Sequence, residues 1–194
     1  MPTKTNLTQE FELATKLAYQ AGDIALKHQA NLQNLEVSRK SQDNSPVSAA
    51  DLEISDYLTT NLQQAFPEDI IISEESKKLE SLFEQHKNSK HANQKTWFID
   101  PIDGTKDFIK GQKDFSIMIG LCINNKPELG VVYQPRNNSL WRGLVSLNLC
   151  EEIYKNKQNS FQTKKLECSQ RPCEAFKDRK STRLNSTHQI ISYA

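Results

Sequence analysis

The sequence predicts an α+β fold in which helices are layered against a sheet. Three features predict it: apolar residues at helical spacing fill the first third of the chain, short β-branched runs bounded by turn formers fill the middle, and no internal repeat divides its 194 residues. A chain of this length can bury one sizeable core, and its 36% apolar and 25% charged content is ordinary for a globular domain.

Phe11, Leu13, Ala14, Leu17, Ala18, Ala21, Ile24 and Ala25 recur at three- and four-residue intervals, so a first helix is expected over residues 8–30. The polar stretch from Glu36 to Ser48 contains Lys40, Asp43 and Pro46 and reads as a loop, ordered or semi-mobile. Ser48 followed by Asp51 has the form of a capping box, and Ile54, Leu58, Leu62 and Ala65 then carry a second helix over residues 49–66, up to Pro67. Asp69-Ile70-Ile71-Ile72 is short and β-branched, a buried strand that delivers Ser73, Glu74 and Glu75 at its end. Residues 76–95 are polar and predict no element. Thr96 to Ile99 is another strand, expected to halt at Asp100-Pro101 because proline offers no donor to a ladder. Phe115 to Ile123 and Leu129 to Tyr133 flank Asn124-Asn125-Lys126-Pro127 as a hairpin, and Leu140 to Val145 adds a further strand.

Twenty-five basic against 24 acidic residues leave a formal charge of +1, which provides no electrostatic footprint for a nucleic-acid polymer or a membrane surface. The longest apolar run, Ile117 to Ile123, is too short to cross a bilayer, so no transmembrane segment is expected. The amino terminus lacks the apolar core of a secretory signal, so the compartment expected is the cytoplasm, the periphery of the inner membrane included. Cys122, Cys150, Cys168 and Cys173 form no C-x-x-C pair and read as reduced thiols rather than zinc ligands.

The chemistry concentrates in Asp100-Pro101-Ile102-Asp103-Gly104-Thr105, where two carboxylates three residues apart follow a buried strand. At about 4 Å and an effective dielectric near 20, two such charges repel by about 4 kcal/mol, so an ionised pair needs a cation or a proton between them. Glu74, ending a separate strand, adds a further carboxylate and favours the cation. Oxygen ligands without His or thiolate select a hard ion, and open positions suit Mg2+, which keeps waters for exchange with phosphate oxygens. Gly104 permits a sharp turn, and a short helix starting near Thr105 can face peptide N–H groups toward a phosphate. Composition alone favours a plain solvated turn, since Asp, Pro and Gly are the commonest turn residues. The flanking Trp97-Phe98-Ile99 and Phe115 to Ile123 lower that alternative by setting the carboxylates at the mouth of a core.

These residues resemble the inositol monophosphatase-like metal phosphatases. Trp97 to Thr105 looks like the family's central signature, Ser73-Glu74-Glu75 like its acidic motif, and Ser45-Pro46-Val47-Ser48-Ala49-Ala50-Asp51 like its first loop motif. Gly130-Val131-Val132-Tyr133-Gln134-Pro135 fits a further strand, and the motifs come in the family's order over about residues 8–177. Lys106-Asp107-Phe108-Ile109 resembles the CysQ-like 3′(2′),5′-bisphosphate nucleotidase branch, where inositol monophosphatases tend to carry Thr-Asn-Phe. The resemblance implies a layered αβαβα sandwich for the complete family and Mg2+-dependent, lithium-sensitive hydrolysis of adenosine 3′,5′-bisphosphate to AMP and phosphate, a reaction of sulfur metabolism. An inositol or sugar phosphatase on the same fold, and an inactive truncated fragment, are the alternatives. By the same resemblance Glu74, Asp100, Asp103 and the carbonyl of Ile102 hold metal, Asp51 and Thr105 orient and deprotonate the attacking water, and Glu74, Asp103, Gly104, Thr105 and Lys106 meet the substrate. Lys40 either helps a further ion through water or is an exposed loop lysine. The partner implied is a small phosphate monoester, with a homodimer as the assembly to test.

The chain departs from the family in one respect. Members continue into a further lobe with a Trp-Asp motif that completes the metal site, whereas Trp97 is followed by Phe98 and Trp141 by Arg142. Asp178 to Ser186 matches, codon for codon, the translation of a common short-read sequencing adapter, Thr187 departs from it, and Ile191 to Ala194 fits the adapter's continuation. The expected organisation is an incomplete metal-phosphatase lobe over residues 1–177 and a non-native, adapter-derived tail over residues 178–194.

Overall fold

The computed structural model describes residues 6–34, 36–39, 46–76, 81, 84, 94–156 and 158–167. Helix α1 spans Thr8–Ala30 and helix α2 spans Ala49–Ala65. Between them β1 (Val37–Arg39) and β2 (Pro46–Ser48) form a small antiparallel pair. The stretch read as a loop from Glu36 to Ser48 thus has short strands at its two ends. Three residues a side make a weak ladder with too little periodicity to stand out from polar sequence. Residues 40–45, Lys40 included, lie outside the described residues, as do Cys168, Cys173 and residues 178–194.

The remaining strands form one seven-stranded sheet in sequence order: β3 (Ile70–Ser73), β4 (Lys95–Asp103), β5 (Ser116–Ile123), β6 (Lys126–Gln134), β7 (Ser139–Leu144), β8 (Leu149–Lys155) and β9 (Phe161–Lys165). Only β3 and β4 run parallel, and every later neighbour is antiparallel. Hairpin turns close the meander with asparagines in the left-handed region: Asn124 and Asn125 between β5 and β6, Asn138 before β7 and Asn148 before β8. Asparagine tolerates positive φ better than other side-chain-bearing residues, so these tight reversals need no glycine. The last two strands have no counterpart in the sequence-based expectation, because their residues are half-buried or exposed and lack a clear apolar alternation.

Strand β4 does not halt at Asp100-Pro101. It continues to Asp103, and its pairing with β5 shifts register between Asp100, opposite Met118, and Asp103, opposite Ser116. Pro101, which lacks an N–H, falls in that irregularity, where the ladder asks no bond of it. The parallel pairing with β3 has already ended at Ile99. The strand therefore bends, and both aspartates emerge at its end.

One face of the sheet is covered by α1 and α2. Ala14, Leu17, Ala18, Ala21 and Ala25 of α1 and Ile54, Leu58 and Leu62 of α2 are buried against Trp97, Ile99, Ile117, Ile119, Leu121 and Val131. Each fully buried large apolar side chain contributes about 1.5–3 kcal/mol, which makes this layer the main source of stability. The alanines let α1 approach closely, and a Cβ on Gly22 would sit 2.3 Å from the Tyr133 ring. On the opposite face Phe98, Met118, Gly120, Gly130 and Val132 line an apolar groove that reaches Asp100. Among the described residues no helix is long and apolar enough to cross a membrane.

Candidate metal and phosphate site

Three elements end at one place. Helix α2 starts there, capped by Ser48: its side chain accepts from the Asp51 amide, while the Asp51 carboxylate accepts from the Ser48 amide at 2.9 Å and from its hydroxyl. The capping box inferred from the sequence is therefore present, and it fixes Asp51, which is 1% exposed, in one rotamer. The other oxygen of that carboxylate faces the end of β4, where the Thr105 hydroxyl lies 3.1 Å from Asp51 Oδ1 and 3.0 Å from the Ile102 carbonyl. One hydroxyl carries one proton, so the two acceptors share it.

Strand β3 brings in Glu74, whose amide donates to the Ile99 carbonyl at 3.0 Å, beside Asp100. Asp100 Oδ1 is buried and has no hydrogen-bond partner. Burial drives the Asp100 carboxyl well above the usual carboxylate range, and the charges of Glu74 and Asp103, a hydrogen bond with Glu74, and the charge of Asp51 push it in the same direction. Four carboxylates thus act on one volume. Among the described residues no group of three His, Cys, Asp or Glu side chains already stands in a ligating arrangement. The structure therefore brings the predicted carboxylates into electrostatic contact without closing them into a cage. Oxygen donors, excess negative charge and an orphaned buried oxygen fit a hard divalent cation such as magnesium, with Glu74, Asp100, Asp103 and the Ile102 carbonyl as the residues to hold it.

After Asp103 the chain turns at Gly104, with φ at +90°, and enters the single-turn helix α3 (Thr105–Phe108). A Cβ at Gly104 would lie 2.8 Å from the Asp114 carbonyl, so the position requires glycine on both conformational and steric grounds. Lys106 projects into solvent beside this turn. The short helix expected from the sequence is present.

Two supports escaped the sequence reading. Gln29 is buried on α1 and donates to the Gln112 carbonyl at 2.8 Å and, more weakly, to the Phe108 carbonyl at 3.5 Å, pinning the segment after the turn. Ser55 on α2 and Ser73 at the end of β3 pair their buried hydroxyls at 2.7 Å. A polar residue in phase with the apolar stripe was the available signal: Gln29 follows Ala25 by four, and Ser55 precedes Leu58 by three and Leu62 by seven.

Comparison with known proteins places the chain in a family. The model of the inositol monophosphatase family matches residues 6–192. The 3′(2′),5′-bisphosphate nucleotidase CysQ of Haemophilus influenzae is 39% identical over 119 residues, which cover 61% of this chain and 41% of that protein. Inositol monophosphatase 1 of Bos taurus is 32% identical over 132 residues, covering 68% of this chain and 45% of that protein. Among solved structures, the extragenic suppressor protein suhB of Bartonella henselae superposes with a TM-score of 0.62 at 25% identity, over 77% of this chain and 53% of that one. The chain spans about half the length of the curated relatives it matches. With helices on a seven-stranded sheet, the acidic turn at the end of β4 and a family match over residues 6–192, the chain belongs to the inositol monophosphatase family.

Proposed function

We propose that this chain carries the amino-terminal half of a magnesium-dependent phosphomonoesterase that hydrolyses adenosine 3′,5′-bisphosphate to AMP and phosphate. The observation that carries the reading is the buried carboxylate group around Asp100, with Oδ1 unsatisfied, set directly beside the Asp51–Thr105 hydrogen bond. Bound magnesium supplies charge neutralisation at phosphoryl oxygens and acidifies water. Asp51, locked by Ser48, holds Thr105 so that its hydroxyl oxygen can receive a water proton while its own proton passes toward the carboxylate. Gly104 keeps the turn tight enough for backbone amides to meet the phosphate, and Lys106 offers a cation for the second phosphate.

The nucleotide substrate rests on Lys106-Asp107-Phe108 and on the greater similarity to CysQ than to bovine inositol monophosphatase 1. The similarity to the bovine enzyme is also the reason for a second reading, an inositol or sugar phosphatase. Phosphate release from adenosine 3′,5′-bisphosphate, inositol 1-phosphate and a sugar phosphate, each with magnesium and with excess chelator, separates them. The test uses the full reading frame alongside the 194-residue chain. Chelator-insensitive release overturns the metal assignment, and preference for inositol 1-phosphate overturns the nucleotide one. Lithium should inhibit.

A further inference from the structure

Ser55 and Ser73 take no part in the chemistry proposed above, yet they are 5% and 0% exposed and their hydroxyls meet at 2.7 Å. A buried hydroxyl pair is worth about 1 kcal/mol net, and replacing both partners by apolar groups of similar shape is nearly neutral, so stability is a weak reason for it. Its location gives a better one. Ser55 lies one helical turn beyond Asp51 on α2, and Ser73 is the last residue of β3, directly before Glu74.

Among the described residues strand β3 is the edge of the sheet, bonded on one side only, to β4. Its apolar residues, Ile70, Ile71 and Ile72, resist leaving the core, but apolar contact is non-directional and does little against sliding along the strand axis. A hydrogen bond from the helix is directional. It ties the end of β3 to the same helix whose first turn holds Asp51. From there the Glu74 amide continues to the Ile99 carbonyl, one residue before Asp100.

We propose that the Ser55–Ser73 pair is a positioning latch. It sets the register between the helix carrying Asp51 and the strand end carrying Glu74, and so the spacing of the carboxylates; its consequence for magnesium rests on the proposed function, while the latch itself does not.

Amide hydrogen exchange and magnesium calorimetry on the 194-residue chain test it, using wild type, Ser55→Ala, Ser73→Ala and the double variant. In Ser55→Ala the Glu74 amide is expected to exchange about tenfold faster while amides of β6 keep their wild-type rates. The double variant should be no faster than either single one, because all three lose the same bond. With magnesium as the probe, Kd should rise about tenfold in each variant, the size expected when a support behind a ligand is removed. Unchanged Glu74 exchange in Ser55→Ala overturns the latch whatever the metal does, as does additivity in the double variant. A lowered Tm with wild-type Glu74 exchange and magnesium affinity assigns the pair to stability alone and also overturns it. A wild-type chain that takes up no magnesium, yet shows the coupled exchange, keeps the latch and overturns its expected consequence for magnesium affinity in this chain. Should a single variant fail to fold, the double variant carries the exchange test, and wild-type protection of Glu74 there overturns the proposal.

Discussion

Asp103 and Asp69 are both acidic residues at strand ends, and their surroundings set them different tasks. Asp103 closes β4 in the field of Asp100, where, on the proposed function, removing one charge while keeping the shape should weaken cation binding without touching the core. Asp103→Asn in the full reading frame should lower magnesium-dependent phosphate release by roughly a hundredfold or more, with an unchanged circular-dichroism spectrum. Wild-type turnover at saturating magnesium would reduce Asp103 to a turn residue. Asp69 instead accepts the Trp97 indole N–H at 2.8 Å beside the Lys95–Glu10 ion pair. Burial raises its carboxyl above the ordinary value, against the lowering by the Trp97 hydrogen bond and Lys95. A folded pKa above the unfolded one, about 4, means that Asp69 contributes most at acidic pH and loses that contribution as pH rises through the folded value. Asp69→Asn keeps an acceptor for the indole and sheds the charge. Its Tm relative to wild type should therefore climb between pH 3 and pH 7, as thermal melts across that range would show. A flat difference would mean that burial does not burden the carboxylate. Asp69→Leu, which strands the buried indole donor, should cost about 1–3 kcal/mol at every pH.

At the scale of elements, the site depends on how α2 begins and how β4 ends. The capping box stabilises the helix and orients Asp51 in the same step, so Ser48→Ala should cost about 1 kcal/mol in chemical denaturation and also loosen Asp51. Full stability in that variant would show that Asp51 is held by other contacts. Gly104→Ala meets both a positive φ and the Asp114 carbonyl, and is expected to destabilise by roughly 1–3 kcal/mol, with loss of the tight turn. In the β5–β6 hairpin, Asn125 has φ of +62°, a conformation that glycine adopts without strain. Asn125→Gly should leave the unfolding free energy unchanged or raise it by up to about 1 kcal/mol in chemical denaturation, and a fall would argue that the Asn125 side chain is itself bonded.

For the whole molecule, α1 and α2 cover one face of the sheet, while an apolar groove lined by Phe98, Met118 and Val132 borders Asp100 on the other. The curated relatives are about twice as long as the region matched, and we propose that the full reading frame gains solubility and turnover over the 194-residue chain. The adapter-like residues 178–194 overlap the family match, which runs to residue 192, so deleting them decides between two origins. An adapter origin predicts a Tm within about 1 °C of the parent chain, since residues that bury nothing leave folding unchanged. A fall of several degrees would assign those residues to the fold.

Sequence by itself determined the helices and most of the meander. Apolar phase in α1 and α2, β-branched runs in β3 and β4, and the Asn124-Asn125 turn are local signals, and each holds because burial follows the repeat of its own element. It also pointed to Glu74, Asp100, Asp103 and Gly104 as carboxylates and a glycine at strand ends, whereas Asp51, Ile102, Thr105 and Lys106 entered as site residues only through the resemblance to the family. Only the tertiary structure decided that β4 runs on through Pro101, because the bulge opposite β5 excuses the missing donor. The resemblance had implied the pairing of Thr105 with Asp51, but the tertiary structure alone added the Ile102 carbonyl as a second acceptor and joined Ser55 to Ser73. These are contacts between residues distant in the chain, and no local period encodes which hydroxyl meets which partner once helix and sheet have packed.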